Sequence, residues 1–126
     1  MIEPSRRPVF LDLTKIAMPV GALTSIGHRI SGIVLAASAP LAVYVLALSL
    51  RDASGWAQAA ALFAQPVFEA AVAISAWALA HHVLGGVRHL LTDFGIGASL
   101  RVARRSAWFV NLGGLVLALA AATAVL

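Results

Sequence analysis

Hydrophobic positions fall in three long blocks along this chain, with short polar stretches between them. The first block runs from about Leu23 to about Leu50, the second from about Phe63 to about Leu91, and the third from Ala107 to Leu126. Each is long enough for a helix to cross the bilayer hydrocarbon, which takes about 20 residues. The pattern predicts an all-α integral membrane protein: three transmembrane helices in a single domain spanning residues 1–126. Pro40 predicts a kink in the first span, and Tyr44 lies toward its far interface. Trp56 and Trp108 stand where interfacial anchors belong. Gly113, Gly114 and the many alanines predict close helix packing, and the third span reads as apolar throughout.

The polar stretches complete the layout. Residues 1–22 form an arm. Arg7-Pro8 starts it extended, and Phe10, Leu11, Leu13 and Ile16 suggest a short helix lying in the interface until Pro19 interrupts it. Arg51 to Trp56 reads as a short loop, and Thr92 to Arg105 as a basic one. Met1 to Lys15 has no continuous apolar run, so it is not a secretory signal.

Composition adds exclusions. Only 11% of the 126 residues are charged and the mean hydropathy is +0.94, whereas a soluble domain has about a quarter charged. There is no cysteine, so no disulfide, thiolate metal site or iron–sulfur cluster resides on this chain. The net charge of +4 comes from few residues and points to topology, with no nucleic acid as partner. With three spans, Arg6, Arg7, Lys15, Arg29, Arg88, Arg101, Arg104 and Arg105 fall on one side and only Arg51 on the other. The positive-inside rule then puts the N-terminus in the cytoplasm and the C-terminus outside.

That topology brings two polar clusters to one leaflet. Ionisable groups at membrane depth are costly and tend to be functional. On one helix Ser25, His28, Arg29 and Gly32 lie on or beside one face. On the next, His82, Gly86 and His89 form one stripe, and His81, Gly85 and Arg88 a second beside it. An imidazole can ligate haem iron, a glycine one turn away leaves room for a flat ring, and His28, Arg29, Arg88 and His89 lie nearer the interface, where propionates would point. A second axial ligand would come from His28 or from a partner subunit. Ser25 and Arg29 could stabilise charge on a quinone oxygen, and Asp93 could carry a proton. Plainer readings stay open: histidines hydrogen-bonded between helices, Arg29 snorkelling to lipid phosphate, Ser25 as a helix cap. Glu69, near the start of the second span, suggests no role.

Two segments, Ser25-Ile26-Gly27-His28-Arg29-Ile30-Ser31-Gly32 and His82-Val83-Leu84-Gly85-Gly86-Val87-Arg88-His89-Leu90-Leu91-Thr92-Asp93, together with Arg7-Pro8-Val9, resemble the signatures of the cytochrome b subunits of succinate dehydrogenase. Order, spacing and three-span layout match over nearly the whole chain. The resemblance implies a haem b axial ligand at His82, with the other ligand from a second membrane anchor subunit in a shared helical bundle. It implies haem-pocket positions at His28, Arg29, Gly86, Arg88 and His89, and a ubiquinone site at Ser25, Ile26, Arg29 and Asp93. It also implies a flavoprotein subunit with FAD, an iron–sulfur subunit, and a location in the bacterial inner (cytoplasmic) membrane or its mitochondrial equivalent. The chain departs from the pattern in the doubled His81-His82 and in Thr92, which stands where a bulkier residue is usual. The alternatives are the anchor of a fumarate reductase working with menaquinol, a non-catalytic assembly protein, and a small transporter. Charges gathered at one leaflet, with none along a midplane path, argue against the last.

Overall fold

The structure, a computed structural model, describes residues 17–125. The expected interfacial arm, with Arg6, Arg7 and Lys15, lies almost wholly outside them. Four helices make up the rest: α1 (Val20–Arg51), α2 (Ala53–Phe63), α3 (Pro66–Asp93) and α4 (Leu100–Val125). Three of these, α1, α3 and α4, are long and apolar enough to cross a membrane. Their large apolar side chains point outward, as lipid-facing helices require: Ile33 is 70% exposed and Phe109 68%.

Each helix end has a local cause. Pro19 is extended before α1, and its carbonyl accepts from the amides of Ala22 and Leu23. Ser25 is therefore inside the helix, and the cap reading for it is removed. Pro40 lies within α1, which runs through it. Asp52 breaks the chain out of α1 and caps α2. Its Oδ1 accepts from the Gly55 amide at 2.7 Å and the Ser54 hydroxyl at 2.7 Å. The Ser54 hydroxyl, the Gly55 amide and the Arg51 guanidinium hold the Asp52 carboxyl below the usual carboxylate range. Pro66 opens α3 at its first turn, where the missing N–H costs nothing. Gly95 closes it with a φ of +75°: the Gly95 amide bonds the Thr92 carbonyl and the Ile96 amide the Leu91 carbonyl, a left-handed ending that suits glycine.

Two boundaries differ from expectation. The stretch expected as a loop after Arg51 is mostly α2, which turns back along α1. Gly55 sits against the Leu48 carbonyl oxygen, where a Cβ would collide, and Val45, Leu48 and Ala59 form a small core under Leu62 and Phe68. An Ala-rich helix of 11 residues has no polar stripe to reveal it. The basic stretch Arg101–Arg105, expected in a loop, is the first turns of α4. Hydropathy marks where a helix meets hydrocarbon, and α4 begins before that. At the other end of the bundle α1, α3 and α4 close on one another around the polar residues described next.

Candidate functional site

The stripe of α1 that faces α3 and α4 is made of Thr24, Gly27, His28, Ser31 and Gly32. The stripe His81, Gly85, Arg88 of α3 packs into it and against α4, with His82, Gly86 and His89 alongside. Glycines let the helices approach closely enough for rings to fit between them. A Cβ on Gly85 would come within 2.9 Å of His28 Cδ2, and one on Gly32 within 3.0 Å of His82 Cε1.

His28, His82 and His89 gather in one cluster. The His28 and His82 rings stack at 4.2 Å with 6° between their planes, and His89 leans on His28 at 5.1 Å. His82 Nδ1 lies 3.1 Å from the His28 carbonyl oxygen and 3.2 Å from Ser31 Oγ. The Ser31 hydroxyl itself donates to the His28 carbonyl at 2.8 Å. A carbonyl only accepts, so the hydrogen is on Nδ1, and His82 Nε2 keeps its lone pair. That is the condition for an imidazole ligand to iron: one ring nitrogen donates to a carbonyl and the other is free. Among the described residues Nε2 has no hydrogen-bond partner.

His81 also has one paired and one free ring nitrogen, but its free nitrogen is sealed inside the bundle. The residue is 3% exposed, its Nε2 lies 3.1 Å from Asn111 Oδ1 on α4, and its Nδ1 is buried with no partner among the described residues. Asn111 Oδ1 also lies 3.1 Å from the hydroxyl of fully buried Thr24. Neither Asn111 nor Thr24 was marked by the sequence pattern. The third span is not apolar throughout: Asn111 is its polar centre, and a single polar residue in a long hydrophobic run was the available signal. Trp77 packs beside His81, with ring centroids 5.4 Å apart.

Other expected site residues are distributed around this centre. Arg88 turns to α4, where Nε donates to Ser106 Oγ at 3.1 Å and Nη2 to the Ala103 carbonyl at 3.4 Å. Gly86 faces His28 Nε2, a buried atom without a partner among the described residues. Ser25 is half-buried, while Ile26, Arg29 and Asp93 are exposed. Ser25, Arg29 and Asp93 are not brought into mutual contact by this chain. They lie outside the three-helix packing, on surface that another subunit or a ligand can cover. Among the described residues no three histidine or carboxylate side chains are placed to share one metal ion.

A wide apolar cleft opens toward the opposite end of the bundle, between α1, α2 and α3. It holds about 1060 Å³ and its inner end, at Leu35 and Leu79, is one helical turn from Gly32 and His82. No histidine lines the cleft.

Comparison with known proteins gives the family. Residues 3–121 match the family described as succinate dehydrogenase/fumarate reductase transmembrane subunit. The chain belongs to this family. It is thus a membrane subunit of an oxidoreductase. The chain is 39% identical over 107 residues to the succinate dehydrogenase cytochrome b556 subunit of Coxiella burnetii, covering 84% of this chain and 86% of that one. It is 31% identical over 117 residues to the protein of the same name from Paracoccus denitrificans, covering 93% and 90%. A third, from Rickettsia conorii, is 28% identical over 113 residues, covering 90% and 88%.

Proposed function

We propose that this chain is the haem b-carrying anchor of a succinate:ubiquinone oxidoreductase, with His82 as one axial ligand. The observation that carries the proposal is the His82 Nδ1–His28 carbonyl hydrogen bond, which leaves Nε2 free. The relatives' names, cytochrome b556 subunits of succinate dehydrogenase, support haem b and the succinate direction over the fumarate one. A second ligand to the iron would come from another membrane anchor subunit.

Bound haem b supplies a one-electron redox centre. This chain's residues do the rest. His28, Gly86 and His89 line the pocket beside His82. Arg29 offers its charge to a propionate or to the quinone mouth, and Arg88 ties α3 to α4 next to them. At the quinone, the Ser25 hydroxyl donates a hydrogen bond to a carbonyl oxygen, with Ile26 packing alongside. The Arg29 guanidinium stabilises negative charge developing on that oxygen, and the Asp93 carboxylate takes up a proton and passes it on. A flavoprotein with FAD and an iron–sulfur subunit dock on the side bearing these residues. By the positive-inside rule that side is the cytoplasm, and the membrane is the bacterial inner membrane or its mitochondrial counterpart.

The test is a dithionite-reduced minus oxidised spectrum of the complex purified with its partners. A low-spin b-type signal is expected, along with succinate-dependent ubiquinone reduction. An intact complex without haem would refute the ligand assignment, and an intact complex unable to reduce quinone would refute the quinone site.

A further inference from the structure

The doubled histidine poses a problem that the fold answers. Successive residues on a helix are about 100° apart around its axis. A rotation of α3 by that angle would bring His81 to the place of His82, with the same imidazole chemistry. His82 is held on one nitrogen, and only by α1. His81 is held by two helices: by Asn111 of α4 at 3.1 Å, and by Thr24 of α1 through the same Asn111 oxygen at 3.1 Å.

The fit around His81 is also steric. A methyl on Gly27 would lie 2.8 Å from His81 Cε1, and one on Gly114 would lie 3.2 Å from His81 Cβ. So α1 and α4 each present a glycine to this residue. Rotating α3 would pull His81 from that slot, unpair its buried Nε2 and leave Asn111 Oδ1 with the Thr24 hydroxyl alone, which is unfavourable.

We propose that Asn111, Thr24 and His81 form a register lock for α3, with His81 the positioning residue that sets the azimuth of His82. The lock rests on the reading of His82 as axial ligand and deepens it. His81 touches no iron; it acts through the orientation of its neighbour. Losing the lock lets α3 rotate, so the His82 ring plane changes and His81 competes for its place.

The electron paramagnetic resonance spectrum of the oxidised complex reads ligand identity and ring-plane orientation independently of turnover. His81→Leu and Asn111→Leu should shift the largest g value and broaden it or split it into two signals, with haem retained. His81→Gln puts an amide N–H donor where Nε2 stands and should preserve the parent signal. An unchanged g value in both leucine variants would overturn the lock. So would His81→Gln behaving like His81→Leu. If Asn111→Leu does not assemble, Gly27→Ala serves in its place, because it removes no hydrogen-bonding group and only displaces the His81 ring, whose Cε1 would lie 2.8 Å from the new methyl. A shifted signal there supports the lock and an unchanged one refutes it. Full haem retention in His82→Ala would instead defeat the underlying ligand assignment.

Discussion

The two ends of the bundle solve the packing problem differently. At the histidine end, α1, α3 and α4 meet through buried polar groups: Thr24, Ser31 and His81 are each at most 3% exposed. The polar contacts there are directional, and glycines set the spacing. At the opposite end, α1 and α3 part around the cleft, with α2 folded against α1. Its lining is Leu, Ala, Val, Phe and Trp56, and its serines return their hydroxyls to their own helices: Ser38 to Leu35, Ser49 to Leu46, Ser75 to Ala71. In a bilayer, apolar surface gains little by choosing a helix over a lipid tail, so hydrogen bonds and close packing must supply the specificity. The end that must hold a ring in one orientation is polar and tight. The end with room is apolar and adaptable.

Changes on the outer face of the histidine end should have the largest functional effect. Arg29→Ala should lower quinone reduction by about tenfold or more, while succinate oxidation by a soluble artificial acceptor stays near the parent rate. Assays of both activities on one preparation check this, and equal loss of both would mean that Arg29 serves assembly.

Next in size is a steric contrast between the two ends. Gly85→Leu forces a side chain into the His28 ring and should destabilise the helix packing by about 1–3 kcal/mol. Ala42→Leu fills cleft space and should change stability by no more than about 0.5 kcal/mol. Thermal unfolding of both variants in the same detergent measures the difference. Similar losses would dissolve the distinction between the ends.

The smallest effect lies at the α1–α2 turn. The hydrogen bonds that cap α2 lower the Asp52 carboxyl below its ordinary value of 3.8. The resulting stabilisation is complete above that value and fades as the pH falls through the lower folded one. Asp52 is solvent-exposed, so the change is slight. Protection of α2 amides from hydrogen exchange should therefore decline only in strong acid, and Asp52→Asn should make it independent of pH there.

Much of this layout was legible in the residue pattern, and the gaps have physical causes. Three apolar blocks announce three spans because hydrocarbon thickness sets a minimum length. The two stripes of α3 follow from helical spacing, and the structure turns one inward with His81 and places the other beside His28. What no periodicity discloses is the partner of a single polar residue. Asn111 is one position in a long apolar run, and its meaning depends on Thr24 and His81, which lie far from it in sequence. The helix α2 escaped because small apolar residues look alike in a loop, an interface or a turn packed back on α1. Ser25, Arg29 and Asp93 stand apart in this chain because a quinone pocket between subunits is only partly encoded in any one of them.

The most direct test of the central claim compares His82→Ala with His81→Leu in the purified complex by reduced minus oxidised difference spectroscopy. The account predicts that the b-type haem signal is lost in the first and retained in the second. Haem kept in His82→Ala, or lost only when His81 is replaced, would contradict it.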